Sequence, residues 1–248
     1  MKLRFLWQQT QQITGLIYAA IRYNDKFPDK DTYVGSVEYS LPFSGKWVVA
    51  NGGVDAETSH SWDIYPQRYA YDFLILDDEV SSYFVDDQNL NSYYCYGKDV
   101  LAPADGIVVA VYDSFSDCRI MGGGQTDPSS SDIGGNRIVI QHAKYEFSAL
   151  CHLMPHSASV QVGQQVRRGD AIARCGNSGN TSEPHLHFQV QNTKNFYFSI
   201  GLPIRFTSIR KSPIPNYERS DPRPTPNYED IDDCYIARGL AVENKTKS

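Results

Sequence analysis

The stretch EPHLHFQV, residues 183–190, has the alternation of a β-strand with one polar and one apolar face. Successive side chains of an extended chain point to opposite faces of the strand. His185, His187 and Gln189 therefore share one face, whereas the leucine, phenylalanine and valine that alternate with them share the other. The apolar face predicts burial in a core, and the face with two imidazoles predicts a functional surface.

Short runs of β-branched and aromatic residues, separated by Gly, Pro and Asp, extend this pattern along the chain. They predict strands at 32–39, 46–50, 69–76, 106–112, 137–141, 147–153, 171–175, 184–191 and 196–200. A helical pattern precedes them, with apolar residues at positions 6, 13, 16, 17 and 20 that predict one buried stripe. These elements indicate a mainly β fold, an antiparallel sandwich or flattened barrel with an N-terminal helix.

The composition divides the chain into three segments. Residues 1–45 hold the helix and a leading strand, and residues 46–210 hold the β domain. Residues 211–248 are rich in proline and contain PNYE twice, which is too little for a repeat array. We expect an extended C-terminal segment that packs on the domain and adds a last strand in YIARGLAVEN. Residues 121–136, MGGGQTDPSSSDIGGN, have the composition of a mobile surface loop, either a lid or an inert insertion.

Charge and composition exclude several classes of protein. A formal charge of −6 and a pI near 5.5, over 248 residues, argue against nucleic acid as a partner. Polar residues 8–12 interrupt the N-terminal apolar residues, so neither a signal peptide nor a membrane span is visible. The five cysteines lack the close spacing of a zinc finger or a redox motif. The oligomeric state stays unknown.

The two histidines of the strand suit metal-assisted hydrolysis. Residues i and i+2 of a strand lie about 6.6 Å apart at their Cα atoms, and a metal lies about 2 Å from an imidazole nitrogen. One histidine can therefore hold an ion while the other handles the proton of the attacking water. A His-x-His pair alone is a weak signal, because solvated strand faces also carry it.

Two further stretches carry candidate site residues. SALCHL places His152 at the end of an apolar strand, and RYAYDFLIL places Asp72 among aromatic and aliphatic residues. A buried carboxylate needs a cation or strong donors. That partner is either a metal or the nearby Arg68.

These stretches resemble the lysostaphin/LytM-type zinc metallopeptidases, which are peptidoglycan endopeptidases with the duplicated-hybrid-motif fold. The similar segments are VLAPADGIVVAV, NRIVIQH, SALCHL and VQVGQQVRRGDAIARCGNSGNTSEPHLHFQV. With the Asp72 strand they cover about residues 46–206. The last segment is the most specific, because it joins a glycine-turn hairpin to the His-x-His strand in the family's order.

The resemblance implies a site and a reaction. It makes His187 and Asp72 ligands of Zn²⁺, and it makes His152 and His185 the catalytic histidines near the attacking water and the developing oxyanion. It does not indicate which of the two is the general base. It implies hydrolysis of peptide bonds in peptidoglycan stem peptides or cross-bridges, outside the cell or in its envelope.

One ligand of the family's pattern is missing. The family usually has a histidine four residues before the aspartate, where this chain has Arg68, and a guanidinium has no lone pair for a metal. His60 is the predicted substitute, as in a subgroup that the segment resembles. If the chain forms a hairpin at Pro66, residues 60 and 72 lie opposite each other, with Cβ atoms about 4.5–5.5 Å apart.

Two other functions remain open. Because of Arg68, the chain could be a catalytically inactive relative that binds peptidoglycan or regulates another hydrolase. It could also resemble the phosphocarrier domains of sugar permeases, which would leave Asp72 and His60 without a role. We predict structural roles for His142 and His156, although His156 could line the groove. Strand alternation points Cys151 away from His152, which argues against a Cys–His nucleophile.

Overall fold

The structure is a computed structural model that describes residues 2–24, 26–130 and 132–245. The elements that position the site are one helix and a series of short strands. In chain order they are α1 (Lys2–Tyr23), β1 (Trp47–Asn51), β2 (Tyr71–Leu74), β3 (Asp99–Leu101), β4 (Gly106–Tyr112), β5 (Arg137–Ala143), β6 (Glu146–Cys151), β7 (Gln165–Val166), β8 (Ala171–Arg174), β9 (Leu186–Gln191), β10 (Ile209–Pro213) and β11 (Leu240–Asn244). Short 3-10 helices lie at Tyr65–Gln67, Leu90–Ser92, Tyr217–Arg219 and Tyr228–Asp230.

The strands form one large and one small antiparallel sheet. The large sheet has nine strands in the order β10-β11-β1-β2-β9-β6-β5-β4-β7, and β3 pairs with β8 in the small sheet. Every strand pair is antiparallel. The prediction of a mainly antiparallel β fold with an N-terminal helix is confirmed.

The main hydrophobic core joins the two sheets. Leu186, Phe188 and Val190 of β9 contribute to it, as their alternation with the polar residues predicts. Val100 of β3 and Ile172 of β8 reach the same core from the small sheet. A second, smaller cluster lies on the opposite face of β5 and β6. It includes Val139, Ala149, Cys151, Phe196 and Tyr197.

Two predicted strands are wrong and three observed strands were not predicted. Residues 32–39 are irregular apart from a single bridge between Tyr39 and Phe206. Residues 196–200 form bends and not a strand. Phe196 and Tyr197 are consecutive and both pack in the second cluster, whereas neighbouring residues of a strand would point to opposite faces. The strands that were not predicted, β3, β7 and β10, are short or polar, so they carry little alternation. Strand β10 lies at the edge of the large sheet and contains two basic residues. Charged side chains at an edge disfavour pairing with a strand of another molecule.

Helix α1 packs on the 3-10 helix at Tyr65–Gln67 and on the loop that contains Tyr197, through a different face from the predicted one. Gln8, Gly15 and Ala19 are buried, whereas Ile13 and Ile17 are exposed. The side chain at position 6 lies outside the described residues. A Cβ at position 15 would collide with the carbonyl oxygen of Tyr197, so the glycine allows the helix to approach closely. Small residues, and not the isoleucines, therefore decide which face is buried.

The C-terminal segment extends the large sheet. β11 pairs with β1, where Trp47 faces Val242, and β10 pairs with the other edge of β11. The last strand expected in YIARGLAVEN is therefore confirmed as β11. Among the described residues, no helix is long and apolar enough to cross a lipid bilayer.

Candidate metal centre and groove

Three side chains converge where β2 and β9 run side by side. One donor atom each from His60, Asp72 and His187 lies within 4.8 Å of the other two. Asp72 and His187 are direct partners in the β2–β9 ladder, with Oδ1 and Nδ1 2.9 Å apart. His60 Nε2 lies 3.5 Å from Asp72 Oδ2. The three residues predicted as ligands are thus brought together.

The predicted hairpin between residues 60 and 72 is wrong, although His60 reaches the expected place. The chain forms a compact loop in which Ser59 Oγ donates to the carbonyl oxygen of Arg68 at 2.8 Å. Ser61 Oγ donates to the carbonyl oxygen of Gln67, also at 2.8 Å. A 3-10 helix at Tyr65–Gln67 reverses the chain between them. Serine side chains therefore close this loop where strand pairing was expected.

Arg68 does not serve as the partner of Asp72. Its Nε donates to the carbonyl oxygen of Trp62 at 2.9 Å. Its guanidinium carbon lies 4.8 Å, 5.1 Å and 5.2 Å from the ring centroids of Trp62, Phe27 and Tyr65. These cation–π contacts stabilise the loop that carries His60. The alternative in which Arg68 neutralises the buried carboxylate is therefore rejected.

His152 and His185 lie next to the three converging residues. Their ring centroids are 4.6 Å apart, and His185 Nε2 lies 3.6 Å from Asp72 Oδ1. His152 Nδ1 is 2.7 Å from the carbonyl oxygen of Ser178, and His185 Nδ1 is 2.8 Å from that of Glu183. Because a carbonyl oxygen only accepts, each Nδ1 carries the proton and donates it. Each Nε2 keeps a lone pair when the ring is neutral.

Burial and mutual charge set the protonation of the cluster. Burial alone would raise the pKa of Asp72, but His60, His185 and His187 together hold that pKa well below its usual value. Burial lowers the pKa of His152 well below the usual 6.5, and the neighbouring imidazoles lower it further. Burial also lowers the pKa of His60. At His187 burial also lowers the pKa, but the hydrogen bond and the negative charge of Asp72 outweigh burial and raise it. Burial thus favours the neutral ring at His60 and His152, and Asp72 favours the protonated ring at His187.

Gln189 orients the ring of His187 from behind. Its Nε2 donates to the carbonyl oxygen of Pro66 at 3.2 Å and to Gln191 Oε1 at 2.5 Å. Its Oε1 must therefore face His187 Nε2, at 2.9 Å, as an acceptor. A proton on Nε2 leaves the Nδ1 lone pair available for a cation. The sequence placed Gln189 on the histidine face but gave no sign of this role.

Asn51 was not identified from the sequence. It ends β1 opposite Asp72, after a β-bulge, and its Nδ2 donates to Asp72 Oδ2 at 3.1 Å. The only sequence signal is its position at the end of a predicted strand beside two glycines. That signal does not reveal its partner.

Cys151 lies on a different face from the predicted one. It pairs with His187 in the β6–β9 ladder, and the strand ends there because His152 adopts a left-handed φ of 59°. Simple alternation between the two residues therefore fails. Burial raises the pKa of the Cys151 thiol to about 12, so a Cys–His nucleophile remains excluded on chemical grounds.

A groove of about 590 Å³ opens over the cluster. His60, Asp72, His152, His185 and His187 all line it. Its remaining walls come from α1, from loop 121–136 and from the segment before β9. They include the polar residues Gln8, Gln9, Gln12, Thr126, Ser130 and Asn180 and the acidic residues Asp127 and Glu183. The loop is therefore part of the groove wall.

The other two histidines lie elsewhere. His142 bonds through Nδ1 to the carbonyl oxygen of Asp105 at 2.8 Å and through Nε2 to Ser148 Oγ at 2.7 Å. His156 is exposed and lines a separate depression with Asp99 and Arg174.

Comparison with known proteins identifies the domain. The sequence profile of peptidase family M23 matches residues 92–197, a range that contains His152, His185 and His187. The peptidoglycan DD-endopeptidase ShyA of Vibrio cholerae is 39% identical over 56 residues, which cover 23% of this chain and 13% of that protein. The cell division protein DipM of Caulobacter vibrioides is 35% identical over 57 residues, or 23% of this chain and 9% of DipM.

Solved structures include similar chains. A zinc-containing peptidase from Vibrio cholerae aligns with a TM-score of 0.39 and 21% identity, over 67% of this chain and 41% of that chain. Lysostaphin from Staphylococcus simulans aligns with a TM-score of 0.34 and 20% identity, over 66% of this chain and 46% of that chain. The chain spans less than a fifth of the length of the two curated relatives. Residues 92–197 are therefore similar to peptidase family M23, in agreement with the resemblance to the lysostaphin/LytM-type enzymes.

Proposed function

We propose that the protein is a zinc-dependent endopeptidase that hydrolyses peptide bonds in peptidoglycan stem peptides or cross-bridges. The observation that carries the proposal is the convergence of His60, Asp72 and His187 in a groove that also holds His152 and His185. The match of residues 92–197 to a peptidase family supports the reaction type. A relative described as a peptidoglycan DD-endopeptidase supports the substrate, and with it a location outside the cell or in its envelope.

The donor set fits zinc. Two imidazoles and one carboxylate supply three protein ligands, which leaves the fourth position of a catalytic site open. Bonds of about 2 Å in tetrahedral geometry put neighbouring donor atoms about 3.3 Å apart. The separation of 2.9 Å between Asp72 Oδ1 and His187 Nδ1 and that of 3.5 Å between the other oxygen, Oδ2, and His60 Nε2 lie on either side of that value. His60 thus takes the place that Arg68 cannot fill.

The two remaining histidines handle protons. A bound zinc ion would act as a Lewis acid on the scissile carbonyl and would lower the pKa of the attacking water. His152 and His185 commit their Nδ1 protons to backbone carbonyl oxygens, so each offers Nε2 as a base. The ring that accepts the proton becomes an imidazolium. It then donates a hydrogen bond to the oxyanion or a proton to the leaving amine.

The groove suits an extended peptide. Its walls present amide and hydroxyl groups, which pair with peptide N–H and C=O groups, together with the carboxylates of Asp127 and Glu183. Phe196 adds an apolar surface next to His187, with ring centroids 6.4 Å apart. The bond that is cleaved depends on contacts along these walls.

Digestion of purified peptidoglycan tests the proposal. Zinc-loaded protein should release peptide fragments with new amino termini, identified by mass spectrometry. A chelator should stop the release, and zinc, but not magnesium, should restore it. Protein that holds no stoichiometric zinc and releases nothing would contradict the proposal and favour an inactive, peptidoglycan-binding relative.

A further inference from the structure

A chain of side chains connects the C-terminal segment with the candidate metal centre. Arg223 Nη2 donates to Asn51 Oδ1 at 2.7 Å, and Asn51 Nδ2 donates to Asp72 Oδ2 at 3.1 Å. Arg223 follows β10 and lies outside the range matched by the family profile. We propose that Arg223 and Asn51 are positioning residues that hold the Asp72 carboxylate in its zinc-binding orientation. This inference rests on the proposed metal centre.

Arg223 determines which end of the Asn51 amide faces Asp72. A guanidinium has donors and no acceptor, so it can bond only the oxygen of the amide. The amide NH₂ group must then point to the other side, where Asp72 Oδ2 accepts from it. Without Arg223, the amide would lose the bond to its oxygen that holds Asn51 in place, and only the weaker contact with Asp72 would orient it.

A buried ion pair holds Arg223 in place. Its Nε and Nη2 both donate to the carboxylate of Asp221, each at 2.8 Å. Arg238 Nη1 donates to the same carboxylate at 3.0 Å. Asp221 and Arg238 are only 8% and 2% exposed. The backbone N–H of Arg238 donates to the carbonyl oxygen of Gly52, which ties this pair to the residue after Asn51.

The residue that holds the Asp72 carboxylate in place, Asn51, carries no charge itself. Asp72 Oδ1 faces His187 Nδ1 at 2.9 Å, and Asn51 occupies Oδ2. Hydrogen bonds from outside the ligand sphere commonly fix the direction in which a ligand points. A guanidinium bound directly to Asp72 would compete with a cation for the negative charge. A neutral amide between the two transmits the position and keeps the carboxylate available to the metal.

Zinc affinity measured by chelator competition tests the inference. The variants are Asn51→Ala, Arg223→Met and the double variant. Methionine keeps most of the apolar stem of Arg223 and leaves Asp221 paired with Arg238, so the buried carboxylate is not orphaned. We expect the Kd for zinc to rise about tenfold in either single variant, the low end of the range for residues that support a ligand. The double variant should show the same rise as either single one, because both residues act through one hydrogen-bonded path.

Arg219→Ala is the matched control. Arg219 lies in the same segment, its side chain is 61% exposed, and it pairs with Glu79 only at 3.9 Å. Its replacement should leave the Kd unchanged. Urea unfolding of each metal-free variant measures general damage separately, because a purely structural role would lower the free energy of unfolding without changing the Kd.

The results separate failure of the inference from failure of the metal centre. Wild-type affinity for zinc in Asn51→Ala or Arg223→Met would overturn the inference and leave the metal centre intact. Losses that add in the double variant would also overturn it, because Arg223 would then act independently of Asn51. Wild-type protein that binds no zinc would contradict the metal centre and, with it, this inference.

Discussion

Asp72 and His187 are 115 positions apart in the chain but face each other across neighbouring strands, with 2.9 Å between Oδ1 and Nδ1. β2 and β9 lie side by side near the middle of the large sheet, and β6, which leads into His152, is the next strand. Paired central strands restrict backbone movement, and sites built on them hold their geometry well. His60, which lies on a loop, depends on hydrogen bonds from serines for its position.

The two histidines of the His-x-His pair should respond differently to replacement. His187→Ala removes a proposed ligand, so the protein should lose stoichiometric zinc and peptidoglycan cleavage together. His185→Ala removes a proton carrier, so zinc should stay bound while cleavage falls by about 10²–10⁴-fold. Elemental analysis and fragment release measure the two properties. A metal-free His187→Ala protein with full activity would contradict the assignment.

Replacement of His60 and replacement of Arg68 should also have different effects. His60→Ala should weaken zinc binding by more than the roughly 10–100-fold cost of losing a residue that only supports a ligand. Arg68→Ala should leave one zinc ion bound. It should lower the free energy of unfolding by about 1–2 kcal/mol, because the three aromatic rings lose their cation. Chelator competition and urea unfolding measure the two effects. Loss of zinc in Arg68→Ala with normal binding in His60→Ala would reverse the interpretation.

The sequence predicted the two faces of β9 from local alternation, and the resemblance to a family singled out His60, Asp72 and His187, which converge in the structure. It could not predict how His60 reaches Asp72. That position depends on Ser59 and Ser61 bonding to backbone carbonyls, which a strand-pairing argument does not consider. The left-handed φ of His152 likewise defeats alternation at the end of β6.

The supporting residues are harder to predict from sequence than the ligands. Asn51 contacts a guanidinium 172 residues away, and a β-bulge decides which strand residue it faces. Neither the bulge nor the long-range partner leaves a local pattern in the chain. The buried face of α1 was missed for a related reason, since it depends on close approach at Gly15.

Gln189→Met should weaken zinc binding without removing a ligand. Methionine has a similar volume but no strong acceptor for the Nε2 proton of His187, so the ring loses the contact that orients it. We expect the Kd for zinc to rise about tenfold or more. Gln161→Met, at an exposed position, is a control for the same chemical change. Equal affinity in wild type and Gln189→Met would show that the ring is held by its strand alone.

The stability of the metal-free protein should fall as the pH drops below 6.5, and His152 should account for part of the fall. Burial lowers the pKa of His152 in the folded protein, whereas the unfolded chain titrates near 6.5. Between these two values the unfolded state binds more protons, so acid favours unfolding; below the folded pKa the loss levels off. If the unfolded state binds one more proton than the folded state, the free energy of unfolding falls by about 1.4 kcal/mol for each pH unit.

Urea unfolding of wild type and His152→Gln, both in the presence of a chelator, measures this contribution. Glutamine can still donate to the carbonyl oxygen of Ser178 but does not titrate. The free energy of unfolding should therefore fall less steeply in the variant below pH 6.5, and the difference in slope should approach that of one proton between about 6.5 and the lower pKa of the folded protein. Above pH 7.5 the difference between the two proteins should be constant. Parallel curves across the acid range would mean that His152 binds its proton equally in the folded and unfolded states, which would contradict the lowered pKa of this buried ring.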